Sequence, residues 1–180
     1  MLSRRGLLAR SAMLLALADV PARAATGASR QIWMQNRAGE EVRAAYRHGE
    51  TYDAAVLQRL RHLFRDLHEG TQGPLPEMLV DMLSVLQEAW GYALPLLLNS
   101  GFRTPRTNAM SEGAAPASLH LRGLAADVSM PGIDHPDLAL VALSLSERLG
   151  FMGIGVYPRF VHLDVGPSRR WTRIGRGWGR

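Results

Sequence analysis

The chain has 180 residues, enough for one domain built around one ordinary hydrophobic core. It is 47% hydrophobic and 21% charged, which excludes a disordered or fibrous protein, and it has no cysteine, which excludes disulfide staples and thiolate metal sites. The formal net charge is +5 with arginine as the only Lys/Arg-type cation, but +3 of it lies in Met1–Ala24, where Arg4, Arg5, Arg10 and Arg23 stand against Asp19 alone. The +2 left for the rest is weak evidence for nucleic-acid binding, which needs a concentrated basic face.

The N-terminus reads as an address. Arg4 and Arg5 precede an apolar run reaching Ala18, and Pro21-Ala22-Arg23-Ala24 supplies an Ala-x-Ala ending. This is the pattern of a secretory signal peptide cleaved near Ala24. Its Ser3-Arg4-Arg5 start resembles a twin-arginine signal, which a receptor reads and which is not an anchor. The apolar run is too short for a permanent membrane span, which needs about 20 residues. The expectation is residues 1–24 as leader, an exported protein in the periplasm or outside the cell, and no stable membrane anchor.

After a short leader at Thr26–Ser29, Ile32 to Met34 begins a strand, Asn36 to Gly39 turns, and Glu41 to Tyr46 returns as its hairpin partner. Asp53 or Thr51 caps a helix running to about Leu67, with Val56, Leu57, Leu60, Leu63, Phe64 and Leu67 at spacings of three and four. Gly70 to Pro76 breaks the chain. A second helix runs from about Glu77 to Trp90 and stops at Gly91. Leu94 to Asn99 reads as a buried strand, and Pro95 places it at a sheet edge or marks the strand's start. Ser100 to Ala117 shows no period and reads as a loop. Gly123 to Met130 holds a strand, Asp137 to Leu149 a helix, and Phe151 to Tyr157 with Phe160 to Val165 a hairpin joined at Pro158-Arg159. Arg169 to Arg180 is a basic tail with Trp171 and Trp178. Helices ahead of most strands favour one α+β domain over about residues 30–175, a small antiparallel sheet backed by helices.

Chemistry concentrates in three segments. Asp127 sits among Leu124, Ala125, Ala126 and Val128, and a carboxylate buried there needs a partner. His162 and Asp164 share one face of their strand while Val161, Leu163 and Val165 share the other. With His120, they offer two imidazoles and a carboxylate, a natural zinc set that leaves a fourth position for water, which the metal would acidify while polarising a carbonyl. On spacing alone the signal is moderate and the alternative stands open: Asp127 and His162 pair with each other or with Arg103 as a structural network.

The string Ser-x-His-x-x-Gly-x-Ala-x-Asp from Ser118 to Asp127 resembles that of zinc D-Ala-D-Ala carboxypeptidases and peptidoglycan endopeptidases. The closer resemblance is to a bacterial family of small exported proteins related to murein endopeptidases. It extends over Tyr46 with His48-Gly49, Leu63 to Asp66, Ser100 to Asn108, Gly155 to Pro158, Phe160 to Gly166 and Trp171. The resemblance implies the zinc D-Ala-D-Ala peptidase-like (hedgehog/DD-peptidase) fold, a Zn2+ cofactor on His120, Asp127 and His162, and Arg103 at the substrate or transition state. It also implies Ser118 near the peptide being cut; as a plain turn residue, Ser118 would instead cap local backbone. The chain departs from the pattern at one place that matters. The carboxypeptidases carry their general base three residues before the last zinc histidine, and relatives carry a histidine two before it; here those positions are Arg159 and Phe160. Asp164 is the nearest substitute, either as base or as a partner holding a histidine or arginine in place; Glu147 and Glu112 stand further back.

The function expected is a zinc peptidase on peptidoglycan stem peptides, an endopeptidase of cross-links. The alternatives are a non-catalytic zinc-containing cell-wall binding module and a D,D-carboxypeptidase or dipeptidase. The expected partner is peptidoglycan, with no nucleic acid; a monomer is compatible with the sequence, which does not fix the oligomeric state.

Overall fold

The computed structural model describes residues 28–111 and 113–173. The stretch expected to be a leader, Glu112, and the end of the tail with Trp178 lie outside the described residues.

The elements run β1 (Ser29–Asn36), β2 (Glu41–His48), β3 (Thr51–Tyr52), α1 (Ala54–Leu63), α2 (Glu77–Glu88), β4 (Leu96–Ser100), α3 (Pro105–Met110), a 3-10 turn (Leu119–Arg122), β5 (Ala125–Ser129), α4 (His135–Leu149), β6 (Phe151–Val156), β7 (Val161–Pro167) and β8 (Arg169–Thr172). The α+β expectation holds, but the sheet is not small. Eight strands join in the order β3-β2-β1-β4-β5-β7-β6-β8. It is mostly antiparallel, with β1 parallel to β4 and β6 parallel to β8. The tail before Arg173 is thus a strand.

Pro95 does not put its strand at an edge. It stands just before β4, which pairs with β1 on one side and β5 on the other. A proline ahead of the strand removes no ladder bond.

Asp53 caps α1 by accepting from the Val56 N–H at 3.0 Å. The helix ends at Leu63, short of Leu67, because Asp66 offers the backbone a different set of bonds. Its carboxylate takes the His68 N–H at 2.9 Å and its own N–H donates to Thr71 O at 2.8 Å. The stretch read as a loop from Ser100 contains α3, capped by the Thr104 hydroxyl on the Thr107 N–H at 3.2 Å with Pro105 in the first turn.

α1, α2 and α4 bury their apolar stripes against the sheet, with α2 touching β1 and β7 and α4 touching β6 and β7. Ile32, Met34, Leu96, Leu98, Ala126, Val128, Val161 and Leu163 supply the sheet's share of that core. Alternation therefore turns Asp127 and His162 to the other face. Among the described residues no helix is long and apolar enough to cross a membrane.

Candidate metal centre

Register brings the site together. β5 and β7 are antiparallel neighbours with Asp127 directly opposite His162 and Ala125 opposite Asp164. Residues opposed in this way hold their Cβ atoms about 5 Å apart. Ser100 of β4 lies opposite Asp127 on its other side. His120 arrives from the 3-10 turn, whose first N–H groups are capped by Ser118 and which ends at Gly123 with φ 65°. A Cβ on Gly123 would lie 1.9 Å from Pro74 O, so only glycine lets the chain turn there toward β5.

His120, Asp127 and His162 place one donor atom each within 4.8 Å of one another. His120 Nε2 and His162 Nδ1 stand 3.2 and 2.9 Å from the same Asp127 oxygen, Oδ1, and 3.2 Å from each other. Tetrahedral zinc ligands at ~2.0–2.1 Å from the ion stand ~3.4 Å apart, close to this spacing.

The outer nitrogens fix the tautomers. His120 Nδ1 is 2.6 Å from Gly101 O, which can only accept, so Nδ1 carries the hydrogen. His162 Nε2 donates to Asp164 Oδ2 at 3.0 Å. In neutral rings the two inner nitrogens then turn lone pairs onto a carboxylate oxygen, an arrangement that a cation satisfies. The pairing of Asp127 with His162 and Arg103, left open by the sequence, is made of these same atoms. Arg103 Nη2 donates to Asp127 Oδ2 and its Nε donates to Ser100 Oγ at 2.7 Å.

The protonation equilibria follow from this packing. Burial pushes the Asp127 carboxyl up, but His120 and His162 outweigh it and hold the group below the usual carboxylate range. Burial lowers the His120 ring against the pull of Asp127. Burial also pulls His162 down, yet its bonds to Asp127 and Asp164 leave it raised.

Asp164 shares the His162 face as the alternation requires, but it sits behind the imidazole and is fully buried. Oδ1 accepts from the Gly166 N–H at 2.8 Å and Arg169 Nη1 at 3.2 Å; Oδ2 accepts from His162 and from Arg169 Nη2 at 2.7 Å. Four donors around one carboxylate suit the holding alternative rather than the base. Burial raises its pKa, but His162, the Gly166 N–H and Arg169 outweigh this and lower it. Glu147 is an exposed residue of α4 outside the cleft lining.

The cluster floors a cleft of about 1030 Å³, at the upper end for ligand sites. Arg103 and Ser118 line it, so five of the six residues singled out as ligands or catalytic groups share one cavity with Asp164 directly behind. Among the described residues the carboxylates lining it are Asp66 and Asp127, both already hydrogen-bonded. Ser118 Oγ accepts from the His120 N–H at 3.4 Å, a local cap, while its place in the lining leaves it open to a ligand.

The roles of three features escaped the sequence reading. Asp66 takes the Thr104 N–H at 2.9 Å and so anchors the loop bearing Arg103. Gly153 and Gly155 of β6 leave the space that the Asp164 carboxylate and the Trp171 ring occupy: an added Cβ would lie 2.4 Å from each. The Gly153-x-Gly155 spacing on one strand face was the available signal. Trp171 itself lies 5.3 Å from the His162 ring, centroid to centroid.

Fold and site together define an α+β domain with a three-donor candidate metal centre at the floor of an arginine-lined cleft. The chain belongs to the family described as peptidoglycan L,D-endopeptidase MepK, which matches residues 24–171, and the resemblance drawn from the Ser118–Asp127 string is borne out at that level. It is 36% identical to the peptidoglycan L,D-endopeptidase MepK of Escherichia coli (strain K12), over 94% of this chain and 97% of the relative. The Shigella flexneri protein of the same name matches with the same figures. A probable peptidoglycan L,D-endopeptidase MepK of Haemophilus influenzae is 28% identical over 76% of this chain and 75% of its own length.

Proposed function

We propose that this protein is a zinc-dependent endopeptidase that cuts peptide cross-links of peptidoglycan at an L,D bond. The observation that carries the metal is the geometry of the donor set: two imidazoles, each with its outer N–H engaged, turn their inner nitrogens on one Asp127 oxygen at nearly tetrahedral spacing. Family membership and the names of the relatives support the substrate and the bond. On this reading the domain spans about residues 30–175 with the zinc D-Ala-D-Ala peptidase-like fold, and a twin-arginine-type leader carries it to the periplasm or outside the cell.

His120, Asp127 and His162 hold the ion. When bound, zinc supplies a Lewis acid for the scissile carbonyl and acidifies a water. Gly101 O and Asp164 fix the ring orientations. Arg103 uses its Nε and Nη2 on Ser100 and Asp127; its remaining N–H groups face the cleft as donors for negative charge developing on the carbonyl oxygen. Ser118 places a hydroxyl along the bound peptide.

A second reading, a zinc-containing cell-wall binding module without catalysis, has one observation in its favour: each cleft carboxylate among the described residues is already held by a donor, Asp66 by the Thr104 N–H and Asp127 by Arg103. Digestion of purified cross-linked muropeptides, with and without a chelator and beside His162→Ala, separates the two. Fragment release that the chelator abolishes is the expected result. Intact muropeptides after incubation with fully zinc-loaded protein would overturn the enzyme reading.

A further inference from the structure

The position where the resembled carboxypeptidases carry an acid holds Arg159, three residues before His162. It lines the cleft, as does Arg173. Three other arginines of the lining are held by carboxylates: Arg65 by Glu40, Arg103 by Asp127 and Arg169 by Asp164. Arg159 and Arg173 have no carboxylate partner among the described residues; Arg37, on the turn between β1 and β2, is in the same condition.

Arg159 and Arg173 leave the backbone at the same end of β6. Arg159 sits in the turn from β6 to β7, which the Tyr157 N–H closes onto Phe160 O at 3.0 Å, and the Arg173 N–H donates to Val156 O at 2.8 Å. The Arg173 side chain reaches the facing loop, where a Cβ on Gly113 would lie 3.2 Å from its Nη1. Beside them the Tyr157 and Phe160 rings stack at 4.6 Å, and Trp171 Nε1 donates to the Tyr157 hydroxyl at 3.1 Å. An apolar aromatic surface next to the candidate metal centre thus ends at two guanidinium groups that have no carboxylate partner among the described residues. Arginine's planar fork matches a carboxylate in two parallel bonds, and two neighbouring cations are stabilised by an anion between them.

The geometry points to a carboxylate-recognition subsite made by Arg159 and Arg173, which takes a free carboxylate of the peptide beside the bond being cut. It rests on the peptidase reading above and adds a specificity to it: the chain acts on acidic stem peptides and discriminates against their amidated forms.

The probes are purified cross-linked muropeptides and the same muropeptides with their free carboxylates converted to primary amides. Charge-assisted hydrogen bonds contribute enough that amidation lowers kcat/KM at least about tenfold, mainly through KM. The double variant Arg159→Gln, Arg173→Gln cuts the native substrate about as poorly as the amidated one. Arg61→Gln, which removes one charge from α1 outside the cleft, keeps the discrimination. Equal kcat/KM for both substrates with the unaltered protein, or discrimination that survives in the double variant, overturns the subsite. If neither substrate is cut, the peptidase reading fails. Calorimetric binding of the same two probes to the same proteins then decides the subsite, which predicts tighter binding of the native form and loss of that preference in the double variant; equal binding overturns it.

Discussion

Asp164→Asn separates the two roles open to this carboxylate. Four N–H groups point at its two oxygens in pairs. Asparagine keeps one oxygen and turns an NH2 toward the other pair, so donors meet donors whichever way the amide flips. Breaking a buried ion pair costs about 3–5 kcal/mol. The Arg169 side chain is 44% exposed and regains water, which sets the expectation at the lower end, about 3 kcal/mol. At about 2–4 °C per kcal/mol for a domain of this size, Tm of the metal-free protein falls by about 6–12 °C. Freeing the His162 Nε2 hydrogen bond weakens zinc binding about 10–100-fold. Differential scanning calorimetry reads the first figure and competition with a chromophoric chelator the second. A variant with unchanged Tm and zinc affinity but abolished hydrolysis would refute the positioning role and make Asp164 the proton acceptor.

Gly153→Ala puts a Cβ 2.4 Å from Asp164 Oδ2, so we expect about 1–3 kcal/mol of destabilisation in urea titrations together with weaker zinc binding; a neutral substitution refutes the packing argument. Arg103→Lys keeps a charge near Asp127 but loses the fork, and we expect retained zinc by metal analysis with kcat/KM down about 100-fold or more. Asp66 is 2% exposed, and although burial raises its pKa, hydrogen bonds from Thr107, Thr104 and His68 leave it lowered. The sign follows: its stabilisation is present above the unfolded-state value near 3.9 and is lost as pH falls through the lower folded value. The acid limb of stability against pH is therefore shallower in Asp66→Asn, and an unchanged slope contradicts this.

The sequence by itself singled out the candidate residues of the site and most of the elements around them. Alternation along Phe160 to Val165 put His162 and Asp164 on one face, and the carboxylate at Asp127 in an apolar strand demanded partners. The helical stripes and Asp53 located α1 and α2 to within a few residues. Periodicity is a local property, and it carries no information about which strands become neighbours. Only the tertiary structure decided that β4 is internal, that β8 continues the sheet beside β6, and that Asp127 and His162 face each other across one ladder. It also surrounded Asp164 with the Gly166 N–H, Arg169 and His162, donors that reach it only once β6, with Gly153 opposite, leaves room. A carboxylate's chemistry follows from how many donors reach it, and that count is fixed by packing between strands far apart in sequence.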